Sequence, residues 1–101
     1  MTERNYIDEL ADAIRRRTPS ELLPRDAEDL RRLFRLYALL ACAKGRQVGL
    51  RDVHDAWVVW MLERGESHES MVPFEDLPMA VQQEDLPFVK AILSAVVQNK
   101  G

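Results

Sequence analysis

Apolar residues recur at intervals of three or four positions in four stretches of this 101-residue chain. That spacing places them on one face of an α-helix, whereas a half-buried strand would alternate apolar and polar residues. The four predicted helices span about residues 5–17, 26–44, 50–64 and 86–99. Residues 66–77 have no periodicity and are predicted to form a long loop between the third and fourth helices. We therefore predict an all-α fold, a compact four-helix domain.

Residues that favour helix ends stand at several of these boundaries. Asn5 and Asp26 are predicted N-caps, because their side-chain oxygens can accept hydrogen bonds from the first free amides of a helix. Gly45 and Gly65 are predicted to adopt the left-handed conformation with which many helices end. The second helix is apolar nearly all round from residue 36 to 43, so we expect it to be the most buried element.

Length and composition indicate one globular domain, residues 1–101, with 47% apolar and 31% charged residues. The net charge of −3 does not favour nucleic acid or an anionic membrane as a partner. No apolar run is long enough to span a bilayer, and we see no signal peptide. The single cysteine, Cys42, lies in an apolar stretch and is expected to be a buried, inert thiol, which fits a cytoplasmic protein.

The sequence has few of the residues that catalysis or metal binding requires. A structural zinc site needs about four Cys, His or acidic ligands at suitable spacing, whereas here two histidines lie fourteen residues apart and one cysteine looks buried. No serine or cysteine shows an arrangement with a histidine that indicates nucleophilic catalysis. We therefore expect no catalytic residues, no metal, no cofactor and no enzymatic activity.

The second and third helices, joined through Gly45, follow the rhythm of a helix-turn-helix. In that arrangement the third helix would enter the major groove of DNA. Asp52 and Asp55 near its start would then face phosphates, which opposes binding to the DNA backbone. DNA binding stays an alternative that the charges disfavour.

The stretch from residue 54 to 78 combines aromatic, histidine and proline residues. These residue types fit two readings. In the first, the aromatic side chains close one edge of the core and the histidines act as hydrogen-bonding struts. In the second, they form a binding site, whose candidate residues are His54, Trp57, Trp60, His68, Pro73 and Phe74.

Several of these residues follow in a set order, which is His54-x-x-Trp57, then His68, then Met71-Val72-Pro73-Phe74-x-x-Leu77, and finally Asp85. The order resembles the ryanodine-receptor-type repeat, over about residues 47–97, and especially its small stand-alone versions in bacteria and phages. The N-terminal half, with Phe34-Arg35-Leu36-Tyr37-Ala38, resembles a short uncharacterised actinobacterial and actinophage family. On this basis we divide the domain into an N-terminal helical pair, residues 1–46, and a repeat-like segment, residues 47–99.

The resemblance implies a ligand as well as a fold, because nucleotide-derivative binding has been suggested for bacterial versions of this repeat. A base could then stack on Trp57, Trp60 or Phe74. His54 or His68 could donate a hydrogen bond to a phosphate. A binder or sponge for a nucleotide-derived signal is therefore the second functional hypothesis.

Charge is distributed unevenly, with +2 over residues 1–50 and −5 over residues 51–101. The candidate partner-binding residues are the clustered arginines Arg15, Arg16, Arg17, Arg31, Arg32 and Arg35. Opposite charge patches on amphipathic helices suit protein recognition and self-association. The leading hypothesis is a non-enzymatic interaction module of a phage or actinobacterium that binds a protein partner, with a homodimer as an open alternative.

Overall fold

The computed structural model describes residues 5–23 and 27–99, and these residues form helices and no strand. Four long helices span α1 (Tyr6–Arg16), α2 (Ala27–Lys44), α3 (Leu50–Glu63) and α5 (Leu86–Asn99), and a single helical turn, α4 (Met79–Gln82), precedes the last of them. Short 3-10 turns occupy Ser20–Leu22, Gly45–Gln47, Phe74–Asp76 and Gln83–Asp85. The prediction of a compact all-α fold with four helices is confirmed.

The helix ends depend on local residues, as the sequence indicates. The amide of Asp8 donates a hydrogen bond of 2.9 Å to Oδ1 of Asn5, which caps α1. Gly45 and Gly65 have φ angles of +55° and +70°, in the left-handed region that side chains with a Cβ disfavour. The predicted cap at Asp26 lies outside the described residues.

The core is centred on α2, which contacts α1, α3 and α5. Its largest fully buried side chains are Tyr37, Phe34, Ile14, Ile92 and Val53, which come from all four long helices. The rings of Phe34 and Tyr37 meet edge to face, with their centroids 5.2 Å apart. That arrangement is favourable for aromatic pairs, because the positive edge of one ring faces the negative face of the other.

The outer stripe of α2 is exposed, although the helix is apolar nearly all round from residue 36 to 43. Arg35, Leu39 and Cys42 follow one another at helical spacing on the side that the other helices leave open, and the Leu39 side chain is 57% exposed. Cys42 is therefore an exposed thiol, and its predicted burial was wrong. None of the helices in the described ranges, α2 included, is both long and apolar enough to cross a membrane.

The segment between α3 and α4 is the predicted long loop, and it folds back onto α3. Leu77 is its buried apolar anchor, whereas Val72 and Pro73 are exposed. The Gln82 side chain on α4 donates hydrogen bonds to the carbonyls of Phe74 (3.1 Å) and Leu77 (3.2 Å). The Phe74 carbonyl also accepts the Leu77 amide within the 3-10 turn, so the bonds from Gln82 add a tie between the end of the loop and α4.

Candidate functional site

A half-open cavity of about 180 Å³ lies between α3, the loop and the turn that leads into α5. We call it the α3–α5 pocket. It is lined by residues from all three elements, namely His54, Trp57, His68, Ser70, Leu77, Val81, Glu84 and Asp85. Three of the six residues predicted for a ligand site are therefore brought together here, with five that the sequence did not single out as binding residues.

His54 forms the inner end of this pocket and is 3% exposed. Its Nε2 lies 2.7 Å from the carbonyl oxygen of Val72. Since a carbonyl only accepts hydrogen bonds, Nε2 carries the proton and donates it. The centroid of the His54 ring also lies 5.9 Å from the ring centroid of Trp57 and 6.2 Å from that of Phe74. His54 therefore joins the loop to α3, as the strut reading of this residue predicts.

His68 forms the outer end of the pocket and is exposed. Its Nδ1 accepts a hydrogen bond of 3.0 Å from the amide of Ser70, so its polar contact is local to the loop. Its ring meets the Trp57 indole edge to face at 5.4 Å. His68 therefore covers part of Trp57 without tying the loop to a helix.

The electrostatics of the pocket come from Glu84 and Asp85. Burial raises the pKa of Asp85 above its ordinary value, and the neighbouring Glu84 raises it further, while His54 lowers it. Within residues 5–23 and 27–99, no lysine or arginine lines the pocket. Two carboxylates without a lining cation disfavour a phosphate and favour a positively charged group. This arrangement gives no support to the nucleotide hypothesis.

The other predicted ligand residues lie outside the pocket. Trp60 is buried in the core beneath the Arg64 guanidinium, which stands 4.4 Å from its ring centroid. Pro73 is exposed and begins the 3-10 turn that contains Phe74. Phe74 packs against His54, and Cζ of Arg51 lies 5.4 Å from the centroid of the Phe74 ring. None of these three residues lines the cavity.

Arg51 holds the end of the loop from the outside. Its guanidinium lies over Phe74 and forms an ion pair with Glu75. A hydrogen bond from the backbone amide of Glu75 and the ion pair with Arg51 lower the pKa of the Glu75 carboxyl. Both side chains are well exposed, so the pair contributes little to stability.

Both histidines and two carboxylates line one pocket, yet they do not form a metal site. In residues 5–23 and 27–99 no three His, Cys, Asp or Glu side chains are grouped so that they could hold a metal ion. His54 is engaged with Val72, and His68 with Ser70. The pocket therefore offers hydrogen bonds, an aromatic wall and negative charge.

Three of the six arginines predicted to bind a partner are engaged within the chain. Arg17 donates to the Ala13 carbonyl (2.8 Å), the Ser94 hydroxyl (3.2 Å) and the Gln98 side chain (2.8 Å), which ties the end of α1 to α5. Arg32 pairs with Glu63 at 2.6 Å, and Arg35 pairs with Asp8 at 2.7 Å. By contrast, Arg15, Arg16 and Arg31 are exposed, and their side chains form no hydrogen bond or ion pair within the part of the chain that the structure describes.

A second candidate surface lies along α2 and α3, which we call the α2–α3 groove. Two adjoining depressions of about 320 and 230 Å³ share Leu36 and Leu39. The further lining residues are Ile7, Arg32, Arg35 and Glu63 at one end and Leu40, Asp52, Asp55, Ala56 and Val59 at the other. Sequence analysis missed the exposed apolar side chains of this face, because α2 was expected to be the most buried element.

A family model described as Domain of unknown function (DUF7701) matches residues 5–97 of the chain. No curated protein and no solved structure matches the chain. The inferred resemblance of residues 47–99 to a ryanodine-receptor-type repeat is therefore wrong, since the family model covers both halves as one unit and no such repeat is indicated. Among the residues that carried the resemblance, His54 and Phe74 pack the loop onto α3.

Proposed function

The chain belongs to the DUF7701 family, and we propose that it is a non-enzymatic module that binds a protein partner through the α2–α3 groove. The observation that carries this proposal is the exposure of large apolar side chains along the groove. Leu39 and Val59 line it, and Leu62 follows Val59 by three residues on α3. Leu39 is 57% exposed, Val59 42% and Leu62 63%. Contiguous apolar surface of this kind marks interaction sites on small proteins, because its contact with water is unfavourable.

The shape of the groove suits the apolar face of a helix from another protein. Leu36, Leu40 and Ala56 line it, while Leu39 and Val59 stand exposed beside them. A helix that inserts side chains one turn apart could cover such a surface, as in other helix-in-groove complexes. Burial of apolar area contributes roughly 25 cal/mol per Å² before the costs of association are subtracted.

The charges around the groove indicate which partner helix fits. Arg32 and Arg35 line one end, and Arg31 is exposed beside them without a partner among the described residues. Asp52 and Asp55 line the other end. Arg32 and Arg35 are already paired with Glu63 and Asp8, so we expect a partner whose apolar helix carries an acidic residue at the end that meets Arg31. Such rim charges would set orientation and association rate more than affinity.

A binding role is also supported by the position of the strongest nucleophile. Cys42 lies on the outer side of α2, whereas both histidines belong to α3 and the loop. An exposed thiol without a disulfide partner suits a reducing compartment. We accordingly place the protein in the cytoplasm as part of this proposal.

Cys42 gives a direct experiment, because it follows Leu39 by one turn on the exposed stripe. A photoactivatable maleimide attached to Cys42 should crosslink the partner in extracts of the source cells. The matched control carries Cys42→Ser together with Val97→Cys, which moves the label to an exposed apolar position on α5. A protein captured from Cys42 and not from the control position is the candidate partner.

The candidate is then purified and its affinity measured by calorimetry. Leu39→Glu should weaken binding at least about tenfold, because a carboxylate would be buried against an apolar surface. Val97→Glu, an equally drastic change at a similarly exposed site, should leave the affinity unchanged. Circular dichroism checks that both variants fold. Equal affinities for the two variants, or capture only of further copies of this chain, would contradict the proposed heterologous partner.

A further inference from the structure

We propose that the α3–α5 pocket binds a small organic cation, an alkylammonium or guanidinium group. This site lies apart from the α2–α3 groove and does not depend on the protein partner proposed above. The cation could belong to a free amine or to a lysine or arginine side chain, since both present the same chemistry.

The first argument is the enclosed volume. The cavity holds about 180 Å³, whereas sites for drug-sized ligands measure roughly 300–1,000 Å³. An engineered apolar cavity of about 150 Å³ in another protein accepts one benzene molecule. The pocket therefore takes a single functional group with a few methylenes, and a whole nucleotide exceeds it.

The second argument is the partly buried carboxylate of Asp85. The described residues give this side chain neither a hydrogen bond nor an ion pair, and the attraction of His54 offsets its loss of water only in part. A carboxylate that has lost water without a direct polar partner is in an unfavourable environment. The raised pKa of Asp85 reports the same cost. A bound cation would relieve it, and the exposed Glu84 beside it adds attraction.

The third argument is the wall of the cavity opposite these charges. Trp57 contributes its indole, and Leu77 and Val81 contribute aliphatic surface. Aromatic faces attract ammonium and guanidinium groups, and aliphatic walls suit the methylene stems that carry them. These apolar walls offer no ligand atoms to a bare metal ion. Within residues 5–23 and 27–99, no three metal-ligating side chains are grouped here.

The test is an NMR titration of the full chain in phosphate buffer, since amine buffers would themselves compete. The probes are n-butylammonium and a blocked Gly-Arg-Gly peptide, and the neutral controls are n-butanol and the same peptide with citrulline. The readout is the Trp57 indole N–H, identified by its loss in Trp57→Phe. Saturable shifts for both cations below about 10 mM, with none for the neutral controls, are the expected result.

The pocket is confirmed as the site by a pair of variants with equal charge. Glu84→Gln with Asp85→Asn should abolish the shift, whereas Glu69→Gln with Asp76→Asn, two exposed acids outside the pocket, should preserve it. Tighter binding of the arginine peptide than of butylammonium would identify a protein side chain as the ligand, and the reverse order a free amine. Equal loss in both double variants, equal shifts by the neutral controls, or no saturation would overturn the proposal.

Discussion

The two histidines of this protein belong to the same short segment, yet they have different physical roles. His54 is buried on α3 and donates a hydrogen bond to Val72, which holds the loop in place. His68 is exposed in the loop and accepts only the nearby Ser70 amide. The position of His54 on a packed helix face gives it a buried contact, whereas the position of His68 in the loop leaves its side chain available to a ligand.

The arginines divide in the same way. Arg17 makes three hydrogen bonds that join α1 to α5, whereas Arg16, the preceding residue, is exposed and makes none within the described ranges. Their positions in sequence are equivalent, but one side chain points at a neighbouring helix and the other at solvent. Each of the following experiments asks whether structural and available residues can be separated in this manner.

The largest effect is expected at His54. His54→Ala removes a buried ring and leaves the Val72 carbonyl without its partner, so the free energy of unfolding should fall by about 2–3 kcal/mol. His68→Ala removes an exposed ring and should change it by less than about 0.5 kcal/mol. Urea denaturation followed by circular dichroism measures both. Similar losses for the two variants would contradict the assigned difference, since they would show that His68 also stabilises the fold.

A smaller loss is expected at Arg17. Arg17→Ala removes the ties to Ser94 and Gln98 and should lower the free energy of unfolding by about 1 kcal/mol, a value reduced because the site is partly exposed to water. Arg16→Ala is the matched control and should stay within about 0.5 kcal/mol of the parent. If the free energy of unfolding of Arg17→Ala equals that of the parent, Arg17 is not needed for the fold and is available to bind a partner.

The contact of Arg51 with the loop should be weaker still. Arg51→Ala loses the ion pair with Glu75 and the stacking on Phe74, and the free energy of unfolding should fall by less than it does for Arg17→Ala, because exposed contacts of this kind contribute little. The loss should shrink at high salt, because screening weakens the ion pair. Arg46→Ala, at another exposed position, provides the control. A loss of 2 kcal/mol or more, on the scale of a buried residue, would show that the loop depends on Arg51 rather than on His54.

The smallest effect, whose size depends on pH, is expected at Asp85. Because its pKa is raised by burial, the folded protein loses stability as the pH rises through that pKa and the carboxyl ionises. Asp85→Asn should therefore have a higher Tm than the parent at pH 7, and this gain should disappear below the ordinary value of 3.8. Asp76→Asn, an exposed acid, should show no such trend. A lower Tm at pH 7 would mean that ionised Asp85 stabilises the fold.

Most of the fold follows from short-range features that are legible in the sequence. The apolar periodicity predicts the four long helices, and Asn5, Gly45 and Gly65 predict three of their ends, which the structure confirms. These features act within one or two helical turns, so no knowledge of distant neighbours is needed. The same reasoning failed at Cys42, because an apolar neighbourhood along the chain does not tell which side of a helix other helices will cover.

The candidate sites depend on contacts between distant parts of the chain. Periodicity places His54 and Trp57 on one helix, but only the return of the chain after α4 brings Glu84 and Asp85 to the same cavity. The available signal was a pair of acids directly before the last helix, and it did not indicate where they would point. The negative charge of the pocket, on which the proposal of a cationic ligand rests, therefore depends on tertiary packing.

Residue types and their spacing along the chain thus specify helices, their ends and the apolar stripes that form the core, since these are set by local backbone geometry and by the removal of apolar surface from water. Whether a given histidine or arginine supports the fold or faces a partner is decided by which helix or loop packs against it. His54 and His68 are the same residue type, but their roles differ because the loop places the Val72 carbonyl against His54 and leaves His68 exposed.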